Sequence, residues 1–144
     1  MKKSAKLVTM VLLVAVLSVC LTACAPASID EITTNLEKNN FSYEVVEATS
    51  LGGLNNIIYI KDKEDKKITA EVYCFNSSEQ ADAYYEQTVA KEKEAFDKNI
   101  QERLEKAKDE KEKEKINKEK ETFAVKKAGN FISKGYKVIV DSAF

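Results

Sequence analysis

Two runs decide the fold: Ile57-Ile58-Tyr59-Ile60-Lys61, and Lys67-Ile68-Thr69-Ala70-Glu71-Val72-Tyr73-Cys74-Phe75 after the charged stretch Asp62 to Lys66. Both are rich in β-branched and aromatic residues and flank a polar turn, which is the pattern of a β-hairpin. A turn symmetric about Glu64 pairs Ile60 with Ile68 and Ile58 with Ala70. Period two then gathers Ile58, Ile60, Ile68, Ala70, Val72 and Cys74 on one apolar face. Cys74 is read as a small buried hydrophobe; the alternatives, a reactive thiol or an intermolecular bridge, need partial exposure and nearby cations. The reverse face carries Ile57, Tyr59, Thr69, Glu71, Tyr73 and Phe75. Left open, Tyr59, Tyr73 and Phe75 there form a candidate binding face for a ligand or a partner. The favoured reading is that the amino-terminal helix covers it.

Downstream, Asn76-Ser77-Ser78-Glu79-Gln80 places Asn76 with Glu79 and Ser77 with Gln80 at capping-box spacing, so a helix starts here. Neither Gly nor Pro occurs between Leu54 and Ala128, and Tyr85, Val89, Phe96, Ile100, Leu104 and Ala107 make an apolar stripe at helical spacing. Past Ala107 charge takes over: residues 91–121 hold 11 basic and 11 acidic side chains. Interleaved pairs such as Glu94 with Lys98, Glu102 with Lys106, Asp109 with Lys113 and Glu114 with Lys118 support a solvated helix. Unbroken to Glu121 it spans about 44 residues and roughly 65 Å. That exceeds the domain it belongs to, so residues 105–121 either project as one straight helix, fold into a helical hairpin near 108–112, or are disordered. Thr122 to Lys127 returns to β character, Ala128-Gly129-Asn130 reads as a turn, and Phe131 to Lys134 with Tyr136 to Val140 read as closing strands.

Upstream, Ser28 and Glu31 form another capping box, and Ile29, Ile32 and Leu36 follow at helical spacing, which predicts a short helix over about 29–39. From Phe41 the period changes to two, giving a strand to about Glu47, and Ser50-Leu51-Gly52-Gly53 reads as a loop. The expected order is α-β-β-β-α-β-β, an α+β domain over 28–144 with helices packed on a small antiparallel sheet and a charged helical extension at about 91–121.

The first 27 residues read as an address. Lys2, Lys3 and Lys6 precede a 13-residue apolar run from Leu7 to Val19, the length of a signal-peptide core and short for a membrane span of roughly 20 residues. Leu21-Thr22-Ala23-Cys24 resembles the lipobox of bacterial lipoproteins at every position. Leu17-Ser18-Val19-Cys20 does not, because Val19 stands where the pattern wants Gly, Ala or Ser. The resemblance implies recognition of Leu21, Thr22 and Ala23 by a signal peptidase, removal of 1–23, and diacylglycerol on Cys24, with palmitate-type chains holding the protein at the extracytoplasmic face of the cell membrane. Two acyl chains give stable anchoring where one does not. Residues 24–27 are a tether of about 14 Å at 3.3–3.6 Å per residue. The body is similar to small Gram-positive lipoproteins of unknown function, through Tyr73-Cys74-Phe75-Asn76-Ser77-Ser78-Glu79 and Gly129-Asn130-Phe131.

Composition narrows function by exclusion. The chain has 144 residues and 23 basic against 24 acidic groups. Loss of a leader with three lysines and no acid leaves 20 against 24, about −4, an acidic balance that argues against nucleic acid as partner. Only Arg103 offers a guanidinium. With no histidine the commonest general base and zinc ligand are both missing, and four glycines build no phosphate loop. Cys20 lies in the leader and Cys24 carries lipid, so Cys74 is left without an intramolecular partner. The carboxylate pairs Glu105 with Asp109 and Glu110 with Glu114 read as a solvated face interleaved with lysines. No catalytic residue, metal ligand or cofactor site is read. The expectation is a non-enzymatic interaction module that binds another envelope protein through the charged helix or the sheet; the alternative is a small-ligand or peptide receptor with an apolar pocket beside Tyr59, Tyr73 or Phe75.

Overall fold

In a computed structural model of the chain, the described residues are 26, 28–48, 52–64 and 66–144. They form an α+β domain: helix α1 (Ile29–Lys38), strands β1 (Ser42–Glu47), β2 (Leu54–Lys61) and β3 (Ile68–Phe75), helix α2 (Ser78–Tyr84), a π-helical turn (Tyr85–Val89), helices α3 (Ala90–Lys106) and α4 (Glu110–Lys120), strands β4 (Ala124–Ala128) and β5 (Phe131–Gly135), and helix α5 (Lys137–Ala143). The sheet has the order β1-β2-β3-β5-β4, antiparallel at every step. Among the described residues no helix is long and apolar enough to cross a membrane.

The β2–β3 hairpin forms in a register two residues from the symmetric one, with Ile60 opposite Ala70 and Ile58 opposite Val72. A slip of two leaves every side chain on its face, so Ile58, Ile60, Ala70, Val72 and Cys74 all reach the core. Ile68 is the exception: it lies at an irregularity between Ile60 and Lys61 and is 52% exposed.

Helix α1 starts where the capping box places it, with Ser28 Oγ accepting from the Glu31 N–H at 3.2 Å. It does not cover the reverse face. Ile29, Ile32 and Leu36 pack on the same face as Ile58, Val72 and Cys74, together with Ile139 and Ala143 of α5. That face holds the larger apolar surface, and α1 and α5 share it. The reverse face is taken by α2 and the π turn, whose Ala81 and Val89 bury against Phe75 and Ile132.

One further expectation is corrected. Residues 137–143 form a helix, not a strand, despite the β-branched run Val138-Ile139-Val140. Gly135 and Tyr136 turn the chain out of β5, and helical phase then buries Ile139, Val140 and Ala143 while Val138 stays 67% exposed, so packing overrides propensity. Of the three alternatives for residues 105–121, the helical hairpin is the one that forms. Ala107 is extended, Asp109 caps a new helix by accepting from the Glu112 N–H at 2.8 Å, and α3 and α4 form a hairpin. Buried Ile100 and Ile116 and the Arg103–Glu119 ion pair at 2.5 Å belong to this hairpin. Glu114 pairs with Lys118 at 3.2 Å as expected, but Lys113 turns to Glu110 at 2.7 Å, because Asp109 is engaged as the cap.

Candidate functional site

The reverse face is only partly roofed. Ion pairs tie the helical stretch 78–106 to the β5–β4 side: Asp82 to Lys127, and Glu92 to Lys134 at 3.1 Å. At the step between the roofed strands and β2 lies an apolar cleft of about 600 Å³. Its sheet wall is Leu54, Ile57, Tyr73 and Phe75, and its helix wall is Glu79, Gln80, Ala83, Tyr84 and Gln87. The volume falls within the roughly 300–1,000 Å³ of small-ligand sites.

Local sequence builds both walls. Ser77 is the N-cap, accepting from the Gln80 N–H at 3.3 Å, and this fixes where α2 leaves the sheet. The π turn widens one turn of the helix, so that Ala81 and Val89 both face the sheet although eight residues apart. Tyr84 is thereby set against the sheet aromatics, its ring 5.5 Å from that of Tyr73 and 5.3 Å from that of Phe75. At the far end the β1–β2 loop closes on the helix. Gly53 stands there at φ +83, a conformation that favours glycine, with the flexible end of the Gln80 side chain against it. The Asn76 N–H also donates to the Gly53 carbonyl at 2.8 Å.

Beneath the apolar walls the polar groups are mutually satisfied. The Tyr73 hydroxyl donates to Glu71 Oε2 at 2.5 Å, and burial, then that carboxylate, raises its pKa. Lys134 Nζ lies 5.2 Å from the centre of the Tyr73 ring and 4.0 Å from Glu71. At the mouth Glu79 is held below the usual carboxylate range by a hydrogen bond to its own backbone and one to Ser77. Of the expected binding face, Tyr73 and Phe75 line the cleft; Tyr59, opposite Glu71 on β2, lies outside its lining. Cys74 faces the other side, buried, and burial pushes its thiol up to about 12. Cys24 and its neighbours Leu21, Thr22 and Ala23 lie outside the described residues.

The chain matches no family model, no curated protein and no solved structure. Chemistry is therefore read from the side chains alone. Tyr73 and Cys74 are both held protonated at neutral pH, and among the described residues no group of three or more Cys, Asp or Glu side chains is placed to hold a metal. Reading the sequence missed Tyr84, Leu54 and Gln87. Tyr84 fell outside the apolar stripe that begins at Tyr85, because an α-helical period does not foresee the π turn.

Proposed function

We propose that this chain is a lipid-anchored, extracytoplasmic, non-enzymatic binding protein that holds a small apolar ligand in the cleft between β2–β3 and α2. The observation that carries the reading is the cleft itself, an aromatic and aliphatic cavity beside Tyr73 and Phe75 with glutamines at its rim. N-phenyl-1-naphthylamine, a neutral aromatic fluorophore, should bind saturably at one site. Ala83→Phe should abolish this, because Ala83 is exposed on the helix yet lines the cleft, so a ring there fills the cavity without entering the core. Absence of saturable binding, or binding untouched by Ala83→Phe, would refute the assignment.

The address is tested separately. Cys24→Ala should leave an uncleaved precursor, and normal processing of that variant would remove the lipobox assignment. A second reading, an envelope-protein partner, is favoured by one surface: Ile68, Tyr136 and Val138, at 52, 45 and 67% exposure, border a shallow depression with Phe41. Cross-linking on intact cells through that patch should return one reproducible partner if this reading holds, and the chain alone if it does not.

A further inference from the structure

The charge around the cleft narrows what it can hold. Among its ten lining residues Glu79 alone is ionisable at neutral pH, and no lysine or arginine is included. Lys134, whose ammonium lies over the Tyr73 ring, is committed to Glu92 and Glu71. Asp82, on the same helix, is matched by Lys127, whereas among the described residues no cation is paired with Glu79. The start of α2, where backbone N–H groups would attract an anion, is occupied by the chain's own Ser77 hydroxyl and Glu79 carboxylate.

We propose that the ligand is a cationic apolar small molecule, an aryl or alkyl amine whose hydrophobic body lies between Leu54, Tyr73, Phe75 and Tyr84 and whose ammonium group stays at the mouth beside Glu79. This deepens the binding reading above and rests on it. An ammonium drawn fully into the cleft would lose its hydration without a partner, but at the mouth it keeps water on one side and a carboxylate on the other. A carboxylate-bearing ligand of the same shape meets Glu79 as a like charge and finds no cation in the walls.

The test uses the full chain as cells produce it and three probes sharing one body: 3-phenylpropylamine, 3-phenylpropanol and 3-phenylpropanoate. Each is titrated at pH 7 to displace N-phenyl-1-naphthylamine. The amine should bind tighter than the alcohol by about two- to fivefold, the scale of an exposed ion pair, and the carboxylate should be weakest. Glu79→Gln, which keeps the helix start intact, should remove the amine's advantage over the alcohol, and 0.5 M salt (about a 4–5 Å screening length) should shrink it. Equal binding of all three probes, or an amine preference that survives Glu79→Gln, overturns the inference and leaves the cleft reading standing. If the fluorophore does not bind at all, the cleft reading itself falls.

Discussion

Gly135 joins the two halves of the sheet, and its replacement by alanine is the sharpest test of the architecture. It stands at φ +141 on β5, opposite Ala70 of β3. A Cβ there would lie 2.4 Å from the Thr69 carbonyl oxygen and 2.5 Å from Ala70 Cα, both backbone atoms that no rotamer change can move. The backbone conformation alone costs a non-glycine residue about 1–3 kcal/mol. Relieving the overlap means parting β5 from β3 near Thr69, whose carbonyl also accepts the Tyr136 N–H at 3.0 Å, so at least one further hydrogen bond of about 1 kcal/mol is weakened. Gly135→Ala should therefore lose about 2–4 kcal/mol, a large share of the roughly 5–15 kcal/mol typical of a domain. Gly129→Ala is the control: its φ is +57, but a Cβ there meets nothing within 4 Å, and about 1–2 kcal/mol is expected. Urea unfolding followed by far-UV circular dichroism measures both, with reaction of the buried Cys74 thiol as a second probe. Equal losses in the two variants, or a Gly135→Ala protein within 1 kcal/mol of the parent, roughly the experimental scatter of such comparisons, would refute the close β3–β5 approach.

Three other outcomes follow from particular side chains. A folded Cys74 keeps its proton to about pH 12, whereas an unfolded one releases it near 9.0, so the unfolded chain binds fewer protons in that window and stability falls as pH rises through it. From pH 9 to 10.5, Cys74→Ala should lose up to about 2 kcal/mol less than the parent at 1.36 kcal/mol per unit, and identical slopes would contradict the burial. Ser133 is fully buried on β5 and, among the described residues, its hydroxyl has no hydrogen-bond partner. Ser133→Ala should stabilise by about 1 kcal/mol in thermal or urea unfolding, because a desolvated, unpaired group is removed; a loss of stability would mean that the hydroxyl is bonded. Ile116→Ala should open the α3–α4 hairpin at a cost of about 2–5 kcal/mol confined to it. Hydrogen exchange should then quicken at 110–120 and stay slow in β2 and β3, and uniform quickening would show that the hairpin and sheet unfold as one.

Much of this molecule is local, and what is local was legible. Caps at Ser28 and in the Asn76–Ser78 run, period two in the hairpin, and the turn at Gly129-Asn130 are decided by neighbours a few residues apart. Apart from Ile68, the predicted core face of the hairpin survived a register shift of two because the pleat has period two. What the sequence could not decide depends on competition for surface. Which sheet face α1 covers follows from α5 sharing it, and α5 is itself a helix only because its burial outweighs its β-branched composition. The break at Ala107 to Asp109 needed the pairing of Ile100, Ile116 and Arg103 with Glu119 across the hairpin.

The lipid address proposed at Cys24 rests on the sequence alone, since the lipobox pattern is a short contiguous string and needs no fold. The cleft is the opposite case. Tyr73 and Phe75 were visible as exposed-side aromatics, but a cavity exists only where α2, rephased by its π turn, stops short of β2 and sets Tyr84 beside them. That spacing is fixed by packing Ala81 and Val89 on Phe75 and Ile132, residues up to 51 positions apart in the chain.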